Sequence, residues 1–375
     1  MDEFRTRIRT WLADNLDPAL KGLGGPGREH EAFDERRAWE KELGAAGWNG
    51  VGWPREHGGR GATIAQQVAF HEEYARADAP ARVSHLGQEL LGPALIEYGS
   101  AEQQRRFLPK ILSVEELWCQ GFSEPGAGSD LAAVRTKARL DGDEWVITGQ
   151  KVWTSLAHVA EWCFALVRTE PQSERHRGLS FLLIPMRQDG VEVRPIRQLT
   201  GTAEFNEVFF TEAHTARDLV VGEPGDGWRV AMGLLGFERG VATLGQQVGF
   251  RRELEELTEL AETSGAARDP HVAEAIARAW VGLEVMHAHA VRTLDAPGPG
   301  AASVAKLVWA GWHRQLGELA MLVRGAAGLV APGDLDRWQR LFLFSRADTI
   351  YGGSDEIQRT VIAERVLGLP WEARP

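Results

Sequence analysis

The chain has 375 residues, 43% hydrophobic and 25% charged, enough to bury a large core in two or three packed subdomains; disorder, collagen and coiled-coil arrays are excluded. Its apolar runs fall far short of the roughly 20 residues a bilayer span requires, and the mean hydropathy is −0.27, so no membrane span is expected. The net charge of −11 is spread along the chain, which argues against nucleic acid as a partner and leaves small anionic ligands open.

The N-terminal MDEFRTRIRTWLADNL mixes acids with Arg where a secretory signal needs an unbroken apolar core, and a cytoplasmic location is expected. From residue 3 to about 113 the spacing is helical: Phe4, Ile8, Trp11, Leu12 and Leu16 share one face, and a helix starts after Gly99-Ser100. From about 117 to 221 the pattern turns to period two in VRTKARL, EWVITG, WCFALVRT, LSFLLIP, VEVRPI and EFNEVFF, each bounded by turn residues. After Gly222-Glu223-Pro224-Gly225-Asp226-Gly227, helical stretches return at about 226–263, 270–294, 301–324, 334–345 and 355–366. The expected fold class is α+β multidomain: an N-terminal helical domain (1–115), a middle antiparallel β-domain (116–223) and a C-terminal four-helix bundle (224–375), with a ligand in the crevice between them.

Two features read as structural. Cys119 and Cys163 lie 44 residues apart and build neither a CxxC pair nor a zinc framework. His287 and His289, two apart on a helix, point in different directions, and no metal is expected. The chemistry lies instead in Leu117 to Asp130, LWCQGFSEPGAGSD, and in Gly149 to Ser155, GQKVWTS. Gly126, Ala127 and Gly128 let backbone amides approach a ligand, Ser123, Ser129 and Ser155 offer hydroxyls, and Trp153 offers a flat face, a lining suited to a planar anionic cofactor. By itself a Gly-Ala-Gly-Ser turn is a weak signal, for which a capped turn is the plainest reading.

These two segments and the terminal YGGSDEIQRTVIAERVLGLP, in this order across essentially the whole chain, resemble the acyl-CoA dehydrogenase family. The resemblance implies noncovalent FAD, an acyl-CoA or other acyl thioester as substrate, an electron-transfer flavoprotein as acceptor, and a homodimer or homotetramer. It places Gln120, Phe122 and Ser123 on one side of the flavin ring and Trp153, Thr154 and Ser155 on the other. Ser129 falls at the pantetheine arm, and Ser354 and Glu356 at a helix start that approaches FAD, where Ser354 also reads as a plain N-cap.

Thioester dehydrogenation needs a carboxylate to take the α-proton while the β-hydrogen leaves as hydride to flavin N5. In the commonest family pattern that Glu follows Tyr in the last motif; here Tyr351 precedes Gly352, which has no side chain. Branched-chain (isovaleryl) and long-chain members carry the Glu on the first long helix of the C-terminal domain, where this chain has Gly236-Phe237-Glu238-Arg239-Gly240. Glu238 is therefore the expected base, with Phe237, Arg239 and the Gly352 N–H on the substrate side. The competing reading of Glu238 is a solvated helix acid.

The family's Arg-x-x-Phe-Gly segment survives only as Ala267-Arg268-Asp269-Pro270-His271, and its Gly-rich segment as Arg324-Gly325-Ala326-Ala327-Gly328; Arg268, Arg324 and Gly325 are the candidate FAD contacts there. Alternatives stay open: a flavin-dependent monooxygenase or nitroalkane oxidase on the same fold, a dehydrogenase of carrier-protein thioesters, and a subunit of a mixed complex. A base on the helix leans toward branched or bulky acyl groups.

Overall fold

A computed structural model describes residues 2–237, 242–295, 298 and 300–370. The first helices are α1 (Asp2–Asn15), α2 (Phe33–Ala45), α3 (Ile64–Arg76), α4 (Gly92–Tyr98) and α5 (Ala101–Leu112). Eight strands follow: β1 (Trp118–Gly121), β2 (Lys137–Asp141), β3 (Glu144–Ser155), β4 (Trp162–Arg168), β5 (Leu179–Pro185), β6 (Val191–Ile196), β7 (Phe205–Ala216) and β8 (Val220–Val221). The chain then forms α6 (Gly227–Phe237), α7 (Ala242–Ser264), α8 (Pro270–Asp295), α9 (Ala301–Arg324), α10 (Arg337–Asp348) and α11 (Asp355–Val361). The described residues divide into two compact units, one of residues 16–63 and 79–239, the other of 1–15, 64–78 and 240–375.

In the first unit the strands form one sheet in the order β6-β7-β3-β2-β4-β5-β8, with β1 beside β4. It differs from the purely antiparallel sheet expected. β1 runs parallel to β4 from Trp118↔Trp162 to Gly121↔Ala165, and β2 meets β4 in parallel at Lys137↔Arg168. The long excursion through β2 and β3 supplies the crossover that a parallel pair requires.

β4 and β5 are buried on both faces, which explains their nearly continuous apolar sequences. Trp162, Phe164 and Leu166 join Phe107, Ile111 and Trp118 in one core; Cys163, Ala165 and Val167 join Ile147, Leu182 and Val208 in another. Trp118 stacks on Trp162 with ring centroids 5.6 Å apart, and Phe107 meets both edge-on. α5 starts in a capping box, with Ser100 Oγ accepting from the Gln103 N–H and the Gln103 side chain from the Ser100 N–H.

In the other unit α7, α8, α9 and α10 bury one stripe each. Phe250, Leu254, Leu257 and Ala261 recur at helical spacing and meet Val272, Ile276, Leu283, Trp312, Leu316, Leu319 and Trp338. Helices α1 and α3 belong to this unit: Val68 of α3 packs with Leu244 and Ala290, and a Cβ on Gly245 would lie 2.8 Å from His71 Cβ. Arg5, Arg9 and Arg76 all donate to Glu73, tying α1 to α3. Among the described residues no helix is long and apolar enough to cross a membrane.

Candidate active site

After a first register shift between Ile147 and Gly149, β3 pairs with β7 from Gly149↔Phe210 to Lys151↔Val208, and pairing resumes at Thr154↔Asn206. Val152 and Trp153 thus face Glu207 alone, a bulge that bends the strand and re-aims a side chain. Trp153 takes φ 59° and its ring stands 58% exposed, edge-on to Phe205 at 6.2 Å. Ser155 is half-buried, whereas Thr154 between them is fully buried and Asn206 Nδ2 donates to its carbonyl at 3.0 Å. Period-two alternation turns Thr154 inward, so of the three it is Trp153 and Ser155 that a ligand can reach.

The Val152 N–H donates to the Ser123 carbonyl at 2.9 Å, bringing the segment after β1 beside the bulge. Ser123 and Gln120 are half-buried. Phe122 is 6% exposed, with its ring 6.0 Å from both Phe164 and Phe181; its side chain belongs to the core and only its backbone is left for a cofactor. Glu124 and Ala127 exchange backbone hydrogen bonds of 3.1 and 3.0 Å, closing the loop that carries exposed Gly126, Gly128 and Ser129. A Cβ on Gly126 or Gly128 would meet nothing within 4 Å. Packing inside the chain therefore does not demand glycine there, and the bare backbone is open to close approach by a ligand. An accessible indole, half-buried Ser123 and Ser155 on the two joined segments, and a bare glycine loop fit a planar anionic cofactor.

The remaining candidates lie in the other unit. Gly352 and Gly353 take φ 62° and 90° in the turn before α11, and their carbonyls accept from Gln358 Nε2 at 3.2 and 3.3 Å. Ser354 is the N-cap, accepting from the Ile357 N–H at 3.4 Å, and Glu356 is exposed in the first turn. Its own backbone N–H and Ser354 hold the Glu356 carboxyl below its usual range.

The same turn is fixed from below. Tyr351 Oη donates to Asp348 Oδ1 at 2.6 Å, and Asp348 Oδ2 lies 2.6 Å from His313 Nδ1. His313 Nε2 reaches Glu253 Oε2 at 3.1 Å, and Lys306 Nζ donates to the Asp348 carbonyl at 2.5 Å. Burial acts to lower the His313 pKa, but hydrogen bonds and charges from Asp348 and Glu253 raise it to about 10. Nothing local in the sequence marks His313, whose two partners lie 35 and 60 positions away.

Arg324 ends α9 and pairs with Asp336 Oδ2 at 2.5 Å, and Asp336 also caps α10 through the Trp338 and Gln339 N–H groups. Its guanidinium is thus engaged in holding the turn that starts at Gly325, where φ is 53°. Arg268 is exposed in a single 3₁₀ turn after α7. Glu238 and Arg239 lie outside the described residues, and Phe237 is the last residue of α6.

Family models of the N-terminal, middle and C-terminal domains of acyl-CoA dehydrogenases match residues 1–115, 119–213 and 225–367. The chain is 65% identical to the acyl-CoA dehydrogenase IpdE1 of Mycobacterium tuberculosis, an alignment covering 100% of this chain and 99% of that one. Among solved structures it is similar to the ChsE4-ChsE5 complex of Mycobacterium tuberculosis, at 31% identity and a TM-score of 0.85 over 99% of this chain and 98% of that one. The steroid ACAD Tcur3481-Tcur3483 is similar at 29% identity and a TM-score of 0.86, again over 99% and 98%. The chain belongs to the acyl-CoA dehydrogenase family, whose members are oxidoreductases that use FAD.

Proposed function

We propose that the chain dehydrogenates a bulky, ring-bearing or branched acyl-CoA between Cα and Cβ, with Glu238 as the base. The observation that carries this reading is Gly352: the residue after Tyr351 has no side chain, so the carboxylate comes from elsewhere in the chain. Glu238, between Phe237 and Arg239, stands at the family's other place for it. It removes the α-proton and holds it as a carboxylic acid. Gly352 donates its N–H to the thioester carbonyl, which acidifies that proton, and Gln358 keeps the turn in shape. Bound FAD supplies the acceptor for the β-hydride. Ser123, Trp153, Ser155, Ser354 and Glu356 contact the cofactor and Ser129 the CoA arm, while Arg268 contacts FAD from an exposed turn.

The bulky acyl group is supported by similarity to the steroid ACAD and by the base on the helix. Proposed with it are a cytoplasmic location and an electron-transfer flavoprotein as acceptor. For assembly, a homodimer or homotetramer is one reading; the likeness to a two-component complex favours a second, a mixed oligomer with a related chain. Native mass spectrometry of the purified assembly separates them by the number of distinct chains.

Anaerobic titration with straight-chain, branched and steroid-derived acyl-CoAs, followed by bleaching of the flavin band, tests the reaction. Bleaching by the bulky thioesters and its loss in Glu238→Gln, with FAD retained, are expected. Full flavin reduction in Glu238→Gln removes the assigned base, and bleaching by straight chains alone removes the assigned substrate class.

A further inference from the structure

The two segments assigned to the flavin are joined by a buried ion pair. Lys151, on β3 just before the bulge, is 0% exposed. Its Nζ donates to the Phe122 carbonyl at 3.1 Å, the Leu166 carbonyl at 2.7 Å and Glu124 Oε1 at 2.8 Å. Three acceptors around one nitrogen require the ammonium form, because a neutral amine has only two N–H bonds to donate. Glu124 also accepts from the backbone N–H groups of Arg135 and Thr136 at 2.6 and 2.9 Å. Burial acts to raise the Glu124 carboxyl, yet the Lys151 charge and these donors hold it below the usual carboxylate range.

Beside the lysine stem, β1 and β4 pack closely at Gly121, where a Cβ would lie 2.8 Å from Cys163 Sγ and 3.2 Å from Ala165 Cβ. A buried pair of this kind adds little net stability over apolar side chains of the same volume. What it adds is geometry: one nitrogen fixes the Phe122 peptide, the Glu124 loop and the β4 backbone to the residue from which the bulge springs.

We propose that Lys151 and Glu124 are positioning residues for the flavin, a clamp that sets the spacing between Ser123 on one segment and Trp153 and Ser155 on the other. The inference rests on the reading that these two segments flank the cofactor. It predicts that breaking the clamp alters the flavin environment in a protein that is still folded.

Lys151→Met, Glu124→Gln, Ser155→Ala and Val167→Ala are compared as FAD-loaded proteins by circular dichroism, FAD dissociation constant, visible flavin spectrum and flavin reduction potential. Lys151→Met and Glu124→Gln are expected to keep the far-UV spectrum, to weaken FAD on the order of 10-fold and to shift the flavin band and potential. Val167→Ala, buried in the same sheet, lowers Tm and leaves the flavin properties alone. Should Lys151→Met not fold, Glu124→Gln, which keeps the volume and an acceptor oxygen, carries the same comparison. Folded clamp variants with wild-type flavin properties, beside a Ser155→Ala that changes them, overturn the clamp and spare the site. Flavin changes in Val167→Ala as large as in the clamp variants also overturn it. A Ser155→Ala without any flavin effect overturns the site itself, and the clamp with it.

Discussion

His313 makes the stability of the helical unit depend on pH in a way that can be measured. Its two ring nitrogens face Asp348 and Glu253, so the folded protein holds an imidazolium up to about pH 10, whereas the unfolded chain releases the proton near 6.5. The raised pKa gives a contribution that is fully present below 6.5 and lost as pH rises through about 10. At ~1.36 kcal/mol per unit, the whole window is worth on the order of 5 kcal/mol. In His313→Gln the proton is absent in both states, and the two carboxylates keep at most one neutral donor between them. Urea unfolding of the FAD-loaded proteins at pH 6, 7, 8 and 9 is expected to show the variant several kcal/mol weaker at pH 6, with the gap narrowing by about 1.4 kcal/mol per unit above pH 7. A constant gap across that range refutes the doubly paired imidazolium.

Glu73 gives the opposite dependence. Burial acts to raise its pKa, but hydrogen bonds from Arg9, Arg5 and Arg76 bring it down to about 2, so its contribution is present above 4.5 and lost as pH falls through 2. Glu73→Gln should cost on the order of 1–3 kcal/mol at pH 7 in chemical denaturation, with the difference shrinking below pH 4. Cys119 and Cys163 are both fully buried, so a thiol reagent should label neither in the folded protein and both in guanidinium; rapid native labelling would contradict the packing of β1 on β4. Gln358→Leu frees the Gly352 and Gly353 carbonyls and should lower kcat/KM on the order of 10-fold with Tm nearly unchanged; steady-state kinetics that match wild type would detach this turn from catalysis.

Periodicity carried much of the architecture into the sequence. The helical stripe of Phe250, Leu254, Leu257 and Ala261 and the apolar runs of β4 and β5 are visible because burial on one stripe or on two faces leaves a pattern in neighbouring residues. β1 is harder: four residues, WCQG, paired in parallel, hold no period long enough to read. The site was legible as motifs but not as geometry. Nothing near Trp153 announces a bulge, because it exists only in the register of β3 against β7, more than 50 positions on, and the ion pair beside it joins Lys151 to Glu124, 27 positions apart. Cys119 and Cys163 seemed remote at 44 positions and turn out to be register partners on adjacent strands. Within the two segments that the motifs place beside the flavin, alternation and aromatic packing turn the side chains of Thr154 and Phe122 inward. Arg324, a candidate FAD contact by its place in the sequence, is engaged by Asp336 twelve residues on.

Helix α3, with α1 tied to it, packs on α7 and α8, more than 160 residues later in the chain. At cellular translation speeds of ~5–20 residues per second, Val68 is made roughly 9 to 35 s before Leu244 exists to cover it. Synthesis therefore cannot finish the helical unit from its N-terminal end; the first helices wait, exposed, while the sheet is made and folds between them and their partners. A fragment of the first 115 residues leaves the apolar edge of Val68 without its partners Leu244 and Ala290.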